Sequence, residues 1–280
     1  MNSVEELIER AARDLISSSY AIALTGAGIS TDSGIPDFRG PDGIWTKNPE
    51  AERRAYETYF RFLRDPAQYW HDRLTMGTSL LGNLREAKPN PAHYALAELE
   101  KMGIIKSVLT QNIDGLHGKA GSQRVYEYHG SIYKLRCPSC GMRFRYEEYD
   151  LHQLLAEKKL PPTCNGCKAP IKDDVVHFNE PIPSDVAHAS LEEAHRCDLM
   201  LICGTSAVVY PFAELPRVAR YRRAGSRLFS NEQAKRTVII EVNAEPTPLT
   251  HEGVSDYLIQ GRLAEILPRI VEKVKGLRSQ

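Results

Sequence analysis

Near the start of the chain, apolar residues recur with helical spacing. Val4, Leu7, Ile8, Ala11, Ala12, Leu15 and Ile16 share one helix face, because residues three and four apart lie on the same side at 3.6 residues per turn. Ser3 and Glu6 stand ahead of them at the spacing of a capping box. The period then changes. "YAIALTGAG" is a short apolar run that enters a glycine turn, and "IIKSVLTQN", "LMLICGTS" and "TVIIEVN" repeat the form. Continuous apolar runs of this length, ending in small or polar residues, predict strands buried on both faces. Helical patterns over residues 91–102, 184–196 and 263–274 separate them. Strands alternating with helices predict an α/β fold, with a mostly parallel sheet covered on both sides. Ligands of such sheets bind beyond the carboxyl ends of the strands. Residues 26–30, 111–114, 204–206 and 243–245 sit there and are expected to converge on one edge.

Two stretches break the alternation. Residues 40–87, with "AYETYFRFLRDPAQYW", are rich in aromatics and arginines and predict a helical insertion; residues 136–174 hold two pairs of cysteines. The polar stretch "GSRLFSNEQAKR", residues 225–236, predicts an exposed loop before the next strand. There is no internal repeat. At 280 residues the chain exceeds the usual single domain, so one large domain with insertions, or two domains, is expected. Its 42% apolar and 26% charged residues are ordinary for a globular protein, and its formal charge of zero calls for neither nucleic acid nor an anionic membrane. "MNSVEELIERAARDLI" lacks a basic start followed by an apolar core, and no apolar run approaches the roughly 18 residues of a spanning helix, so a cytoplasmic, membrane-free protein is expected.

The cysteines follow the spacing C-x2-C-x23-C-x2-C: Cys137 and Cys140, then Cys164 and Cys167. Each pair lies beside turn formers, Pro138 and Gly141 or Asn165 and Gly166. Such knuckles bring four thiolates to one tetrahedral zinc, and a closed four-sulfur shell leaves no position for a reacting water. The zinc is therefore expected to be structural. His129, eight residues before Cys137 in "YEYHGSIYKLRCPSCG", is not needed as a fifth ligand. Cys197 and Cys203 are isolated, and Cys203 ends an apolar run, which suits a small buried hydrophobe.

Other blocks point to a nucleotide. In "TGAGISTDSGIPDFRG", Gly26 and Gly28 follow a strand, where a bare backbone could approach a pyrophosphate. The dinucleotide fingerprint is incomplete, because Thr31 stands where its third glycine belongs and no acidic residue ends a second strand about 20 residues on. On this pattern alone, a tight turn remains an equal reading. "TQNIDGLHGKAG" clusters Gln111, Asn112 and Asp114 at a strand end, suited either to holding ribose hydroxyls or a carboxamide or to capping the next helix.

Taken in order, "GAGIS...GIPDFR", "TQNID.LH..AG", "HG", the paired cysteines, "VVHFNEPIP", "GTS..V.P" and "VNAEPT" resemble the sirtuins, the Sir2 family of NAD-dependent protein deacylases, from about residue 20 to about 270. The resemblance implies a Rossmann-like parallel sheet domain (1–39, 88–135 and 175–280), a helical insertion (40–87) and a small zinc-ribbon module (136–174), with NAD and an acyl-lysine peptide meeting between them. It implies that Gly26, Ala27, Gly28 and Ile29 line the NAD phosphates, and that Asp37, Phe38 and Arg39 lie on a cofactor loop. Gln111, Asn112, Ile113 and Asp114 would line the nicotinamide and ribose pocket, Gly204, Thr205 and Ser206 would contact phosphate and ribose, and Asn243 and Glu245 would face the adenosine ribose. His129 would be the general base, assisted by Asn112, and a near-neutral histidine suits that role. Val176 and Phe178 would border the acyl-lysine, on a strand running to Glu180 that pairs with the peptide. His93 is expected to be structural, and His117 to pack beneath the pocket.

The chain departs from the family pattern in three places. Phe178-Asn179-Glu180 stands where Phe-Gly-Glu is usual, and Asp173-Asp174 where Arg-Pro is common. The Tyr-x-x-Arg pair of members that prefer succinyl or malonyl chains is absent; its places after Trp70 hold Arg73 and Met76. Tyr69 and Arg73, four apart, are expected to be packing neighbours on a helix. Two other functions use some of the same parts: a mono-ADP-ribosyltransferase, and a noncatalytic NAD-sensing or zinc-ribbon adaptor.

Overall fold

The computed structural model describes residues 3–40, 43–75, 84–221 and 236–279. Met76 and nearly all of the loop expected over 225–236 lie outside them. The large sheet is built from β1 (Ala21–Thr25), β2 (Ile105–Thr110), β3 (Val125–Glu127), β7 (Leu199–Cys203), β8 (Val238–Asn243) and β9 (Tyr257–Gln260). Its order is β3-β2-β1-β7-β8-β9, and every pairing is parallel. A smaller antiparallel sheet, β5-β4-β6, consists of β4 (Lys134–Arg136), β5 (Arg143–Arg145) and β6 (Lys172–Asp173).

Strand β1 shows why its sequence reads as a continuous apolar run. Ala21 and Ala23 face one core with the helices Val4–Ser17, Pro91–Lys101 and Leu263–Arg278; Ile22 and Leu24 face a second core with Ser184–Arg196 and Leu215–Tyr221. Alternate residues point to opposite faces and both faces are covered. The capping box of the first helix is formed, with Glu6 N–H donating to Ser3 Oγ at 3.2 Å and Ser3 N–H to Glu6 Oε2 at 2.7 Å. Val4 and Ile16, at the ends of the apolar stripe, are exposed.

The helices Ile44–Lys47, Pro49–Arg64 and Pro66–Thr75 fill the described part of the first insertion. They share a core with the cysteine segment: Phe62, Tyr69 and Trp70 pack with Leu135, Phe144, Leu151 and Ile171, and Trp70 Nε1–H donates to the Ile171 carbonyl at 2.7 Å. Between them runs a buried ion network. Arg136 pairs with Asp174 (3.0 Å) and Glu180 (2.6 Å), Lys172 with Glu180 (3.1 Å), and Asp173 with Arg73 (3.2 Å). The two aspartates that replace Arg-Pro are thus tied to arginines of both insertions. Among the described residues, no helix is long and apolar enough to cross a membrane.

Candidate active site

The chain runs from β1 outward to β2 and β3, then returns to the other side of β1 for β7, β8 and β9. Loops leaving β1 and β7 therefore diverge, which opens a crevice at their carboxyl ends. Two glycine turns meet there. Gly28 N–H donates to the Gly204 carbonyl at 2.8 Å, and a Cβ on Gly28 would lie 2.8 Å from Gly204 Cα. Gly204 itself has φ +63°, and a Cβ there would lie 2.4 Å from the Ile29 nitrogen. Close backbone approach thus explains the glycines before any ligand does. The amides of Gly26 and Ile29 are also donated within the protein, to Cys203 and Gly26 carbonyls.

Polar side chains from four strand ends lock this crevice. Asn112 Nδ2 donates to the Gly26 carbonyl (3.1 Å) and Ser30 Oγ (3.0 Å), and Ser30 Oγ donates to Asp114 Oδ2 (2.7 Å). Gln111 Nε2 donates to Thr205 Oγ1 at 2.7 Å, and Asn243 Nδ2 to the Thr205 carbonyl at 3.3 Å. Ser30 is buried at the hub; the sequence placed it among residues 26–30 at this edge but gave it no role, and its signal was its place closing the "GAGIS" turn. Ser206 and Glu245 are exposed at the crevice rim.

Three histidines serve different ends. His117 is buried, with Nε2 2.9 Å from Thr25 Oγ1, and burial pushes its pKa down to about 3. His93 accepts the Asn90 N–H (3.3 Å) to cap its helix, approaches Ser30 Oγ at 3.4 Å, and is lowered by burial to about 4. His129 is half-buried beside Tyr128 and Phe212. Its Nδ1 lies 3.2 Å from the Gln111 carbonyl. A carbonyl can only accept, so this contact places the proton on Nδ1 and leaves Nε2 as the basic nitrogen. The near-neutral pKa expected for His129 is not what its surroundings give. Burial pushes it down to about 4, against the opposing bond from the Gln111 carbonyl. The ring is therefore neutral across the ordinary pH range.

The expected cofactor loop is anchored by aromatics. Phe38 packs on Trp45 at 4.7 Å, Trp45 on Phe178 at 5.6 Å, and Phe178 stacks on Tyr56 at 4.3 Å. The Arg39 guanidinium lies 4.4 Å over Trp45. Asp37 folds back on its own loop, where its Oδ1 accepts the Gly40 N–H at 2.9 Å. The segment expected to be a strand from Val176 to Glu180 is instead a turn, closed by Glu180 N–H donating to the His177 carbonyl at 3.1 Å. Asn179 supplies the positive φ, +65°, that such a turn requires at its third position. The Glu180 carboxylate is buried between Arg136 and Lys172, so it holds the turn and does not face a peptide. Val176 N–H donates to the His129 carbonyl at 2.8 Å, joining this segment to the histidine.

The cysteines gather as expected. The Sγ atoms of Cys137, Cys140, Cys164 and Cys167 lie within 4.8 Å of one another. Sulfurs 2.3 Å from a tetrahedral zinc stand about 3.8 Å apart; Cys137–Cys167 and Cys140–Cys164 are at 3.4 and 3.7 Å. The two knuckles match bond for bond: Cys137 N–H donates to Met142 and Gly141 N–H back to Cys137, as Cys164 N–H does to Ala169 and Lys168 N–H to Cys164. Gly141 and Lys168, both with positive φ, occupy corresponding places. The set fits one zinc, with His129 outside it.

Comparison with known proteins agrees with this geometry. The profile of the Sir2 family matches residues 26–211. The NAD-dependent protein deacylase 2 of Archaeoglobus fulgidus is 43% identical, over 99% of this chain and 100% of its own length. A Sir2 homologue solved in complex with NAD is 35% identical over 98% of this chain and 94% of its own, with a TM-score of 0.72. Another, bound to a myristoylated histone peptide, is 38% identical over 98% and 99%, with a TM-score of 0.64. The chain belongs to the Sir2 family of NAD-dependent protein deacylases.

Proposed function

We propose that the chain deacylates protein lysine side chains in the crevice at the β1/β7 switch point, with His129 as general base. NAD, as co-substrate, supplies a ribose carbon from which nicotinamide departs, and the acyl group ends on ADP-ribose. The glycine turns at 26–29 and 204–206 would receive the phosphates, with Asn243 and Glu245 toward the adenosine ribose. Gln111, Asn112, Ile113 and Asp114 would enclose the nicotinamide ribose, while Asp37, Phe38 and Arg39 cover it. The acyl-lysine would lie beside Val176 and Phe178. Once the acyl oxygen has displaced nicotinamide, Nε2 of His129 would take the proton of a ribose hydroxyl as that oxygen attacks the acyl carbon. The observation that carries the reading is the orientation of His129. The Gln111 carbonyl fixes its tautomer, and Gln111 heads the same segment whose Asn112 and Asp114 form the Ser30 hub. We divide the chain as the resemblance implies, with the helical and cysteine insertions joined as one unit by their shared core.

Mass analysis of products from NAD and an acetyl-lysine peptide tests this reading. Deacylation gives nicotinamide, O-acetyl-ADP-ribose and free lysine. ADP-ribosylated protein would indicate a transferase, and unconsumed NAD an adaptor. Acyl peptides are the partner class, and the relative bound to a myristoylated histone peptide makes long chains worth including.

A further inference from the structure

Asn179 stands where the family pattern has glycine, and its backbone accounts for only part of the exchange. Its φ of +65° is open to glycine and tolerated by asparagine. The side chain does more. Asn179 Nδ2 donates to the backbone carbonyl of Tyr56 at 3.0 Å, in the middle of the helix Pro49–Arg64. The neighbouring residue, Phe178, stacks its ring on the ring of the same Tyr56, with centroids 4.3 Å apart and planes 25° from parallel. Two consecutive residues at the tip of the 177–180 turn therefore grip one residue of the insertion helix, one through its ring and the other through its backbone. Glycine could keep the turn and the ring contact, but not the second grip.

We propose that Asn179, by its side-chain bond to the Tyr56 carbonyl, is a specificity-determining latch that holds the helix Pro49–Arg64 against Phe178 and so limits the length of acyl chain the site admits. This deepens the deacylase reading and rests on it, because Phe178 is taken there as the wall of the acyl-lysine channel. A long chain needs room beyond that wall, and the insertion helix must move from the turn to provide it. Each bond holding the helix raises the cost of that movement. A net hydrogen-bond contribution of ordinary size corresponds to about a fivefold change in relative affinity.

The test compares the wild type with Asn179→Gly and Asn179→Asp on one peptide carrying acetyl-, octanoyl- or myristoyl-lysine. Glycine keeps the turn and removes the donor. Aspartate keeps the size and the turn, and turns an acceptor toward a carbonyl. Both variants should raise the ratio of kcat/KM for myristoyl over acetyl about fivefold, through KM, with zinc content and Tm retained. If the ratio stays within twofold of wild type in both, Asn179 serves the backbone turn alone and the latch is wrong. A rise in the glycine variant but not in the aspartate variant assigns the effect to backbone freedom and also overturns it. The Kd values of fluorescein-labelled acetyl- and myristoyl-lysine peptides read the same ratio without turnover. A chain that turns over no acyl peptide would thus refute the deacylase reading while the latch is still judged.

Discussion

The carbonyl oxygen of Asp174 lies where a side chain on Gly130 would begin: a Cβ built on Gly130 falls 1.9 Å from it. Gly130 follows His129, and Asp174 closes the cysteine segment. The "HG" pair is therefore in direct contact with the zinc-bearing unit, reinforced by the Val176 N–H on the His129 carbonyl. Gly130→Ala must displace Asp174 or the histidine, and it also places a side chain at φ +76°. We expect a stability loss of about 2 kcal/mol or more and a kcat/KM at least ~10-fold lower. Urea unfolding and steady-state kinetics at wild-type levels would rule this contact out as a constraint.

The zinc should act on stability and, through this contact, on catalysis. Cys140→Ala should abolish stoichiometric zinc and lower Tm, because binding energy at such a site is folding energy. Trp70 lies in the core shared with Cys137 and Cys164, so tryptophan emission should shift red on metal loss. Folded, active protein without zinc would contradict the assignment.

The histidines set an acid limit. Folding lowers His93 and His129 to about 4 and His117 to about 3 by burial. Between those values and about 6.5, the unfolded chain binds more protons than the native one. Their contribution is thus complete above about pH 6.5 and is lost as pH falls toward 4. The urea midpoint should decline across that window. A midpoint flat down to pH 4, with loss only below it, would place these rings in water. The acidic limb of kcat/KM, which reports the free enzyme, should likewise lie nearer pH 4 than 6.5.

Acyl charge should matter. Arg73 stands at the first place of the absent Tyr-x-x-Arg pair. It is committed to Asp173 at 3.2 Å and lies over the Tyr69 ring, as a packing neighbour should. A carboxylate placed beside Val176 and Phe178 would lose water and, with Arg73 already paired, would not gain that partner, at a cost of several kcal/mol. Acetyl-lysine should therefore be processed at least ~10-fold faster than succinyl-lysine on the same peptide. Equal rates would mean that another cation lines the channel.

Much of this was legible in the sequence, for identifiable reasons. The four long buried strands, the cysteine cluster and the convergence of residues 111–114 on the glycine turns follow from apolar runs and from ligand spacing. Strands β3 and β9 were missed because three- and four-residue edge strands, only partly buried, carry no clear run. Glu180 was misplaced because nothing local shows that Arg136 and Lys172, 44 and 8 positions earlier, bury charge beside it. The low pKa of His129 was hidden for the same reason: burial is a property of the assembled crevice. Ser30 and His93 are joined across 63 positions of chain, a contact that only the fold supplies.

The central claim is that His129 takes a proton after nicotinamide has left, and a comparison within one variant tests it most directly. In His129→Ala, exchange of labelled nicotinamide into NAD, driven by an acetyl-lysine peptide, should persist, while O-acetyl-ADP-ribose formation should fall by at least ~10², with zinc content unchanged. Loss of both activities together in a folded, zinc-replete variant, or retention of full deacylation, would contradict the account.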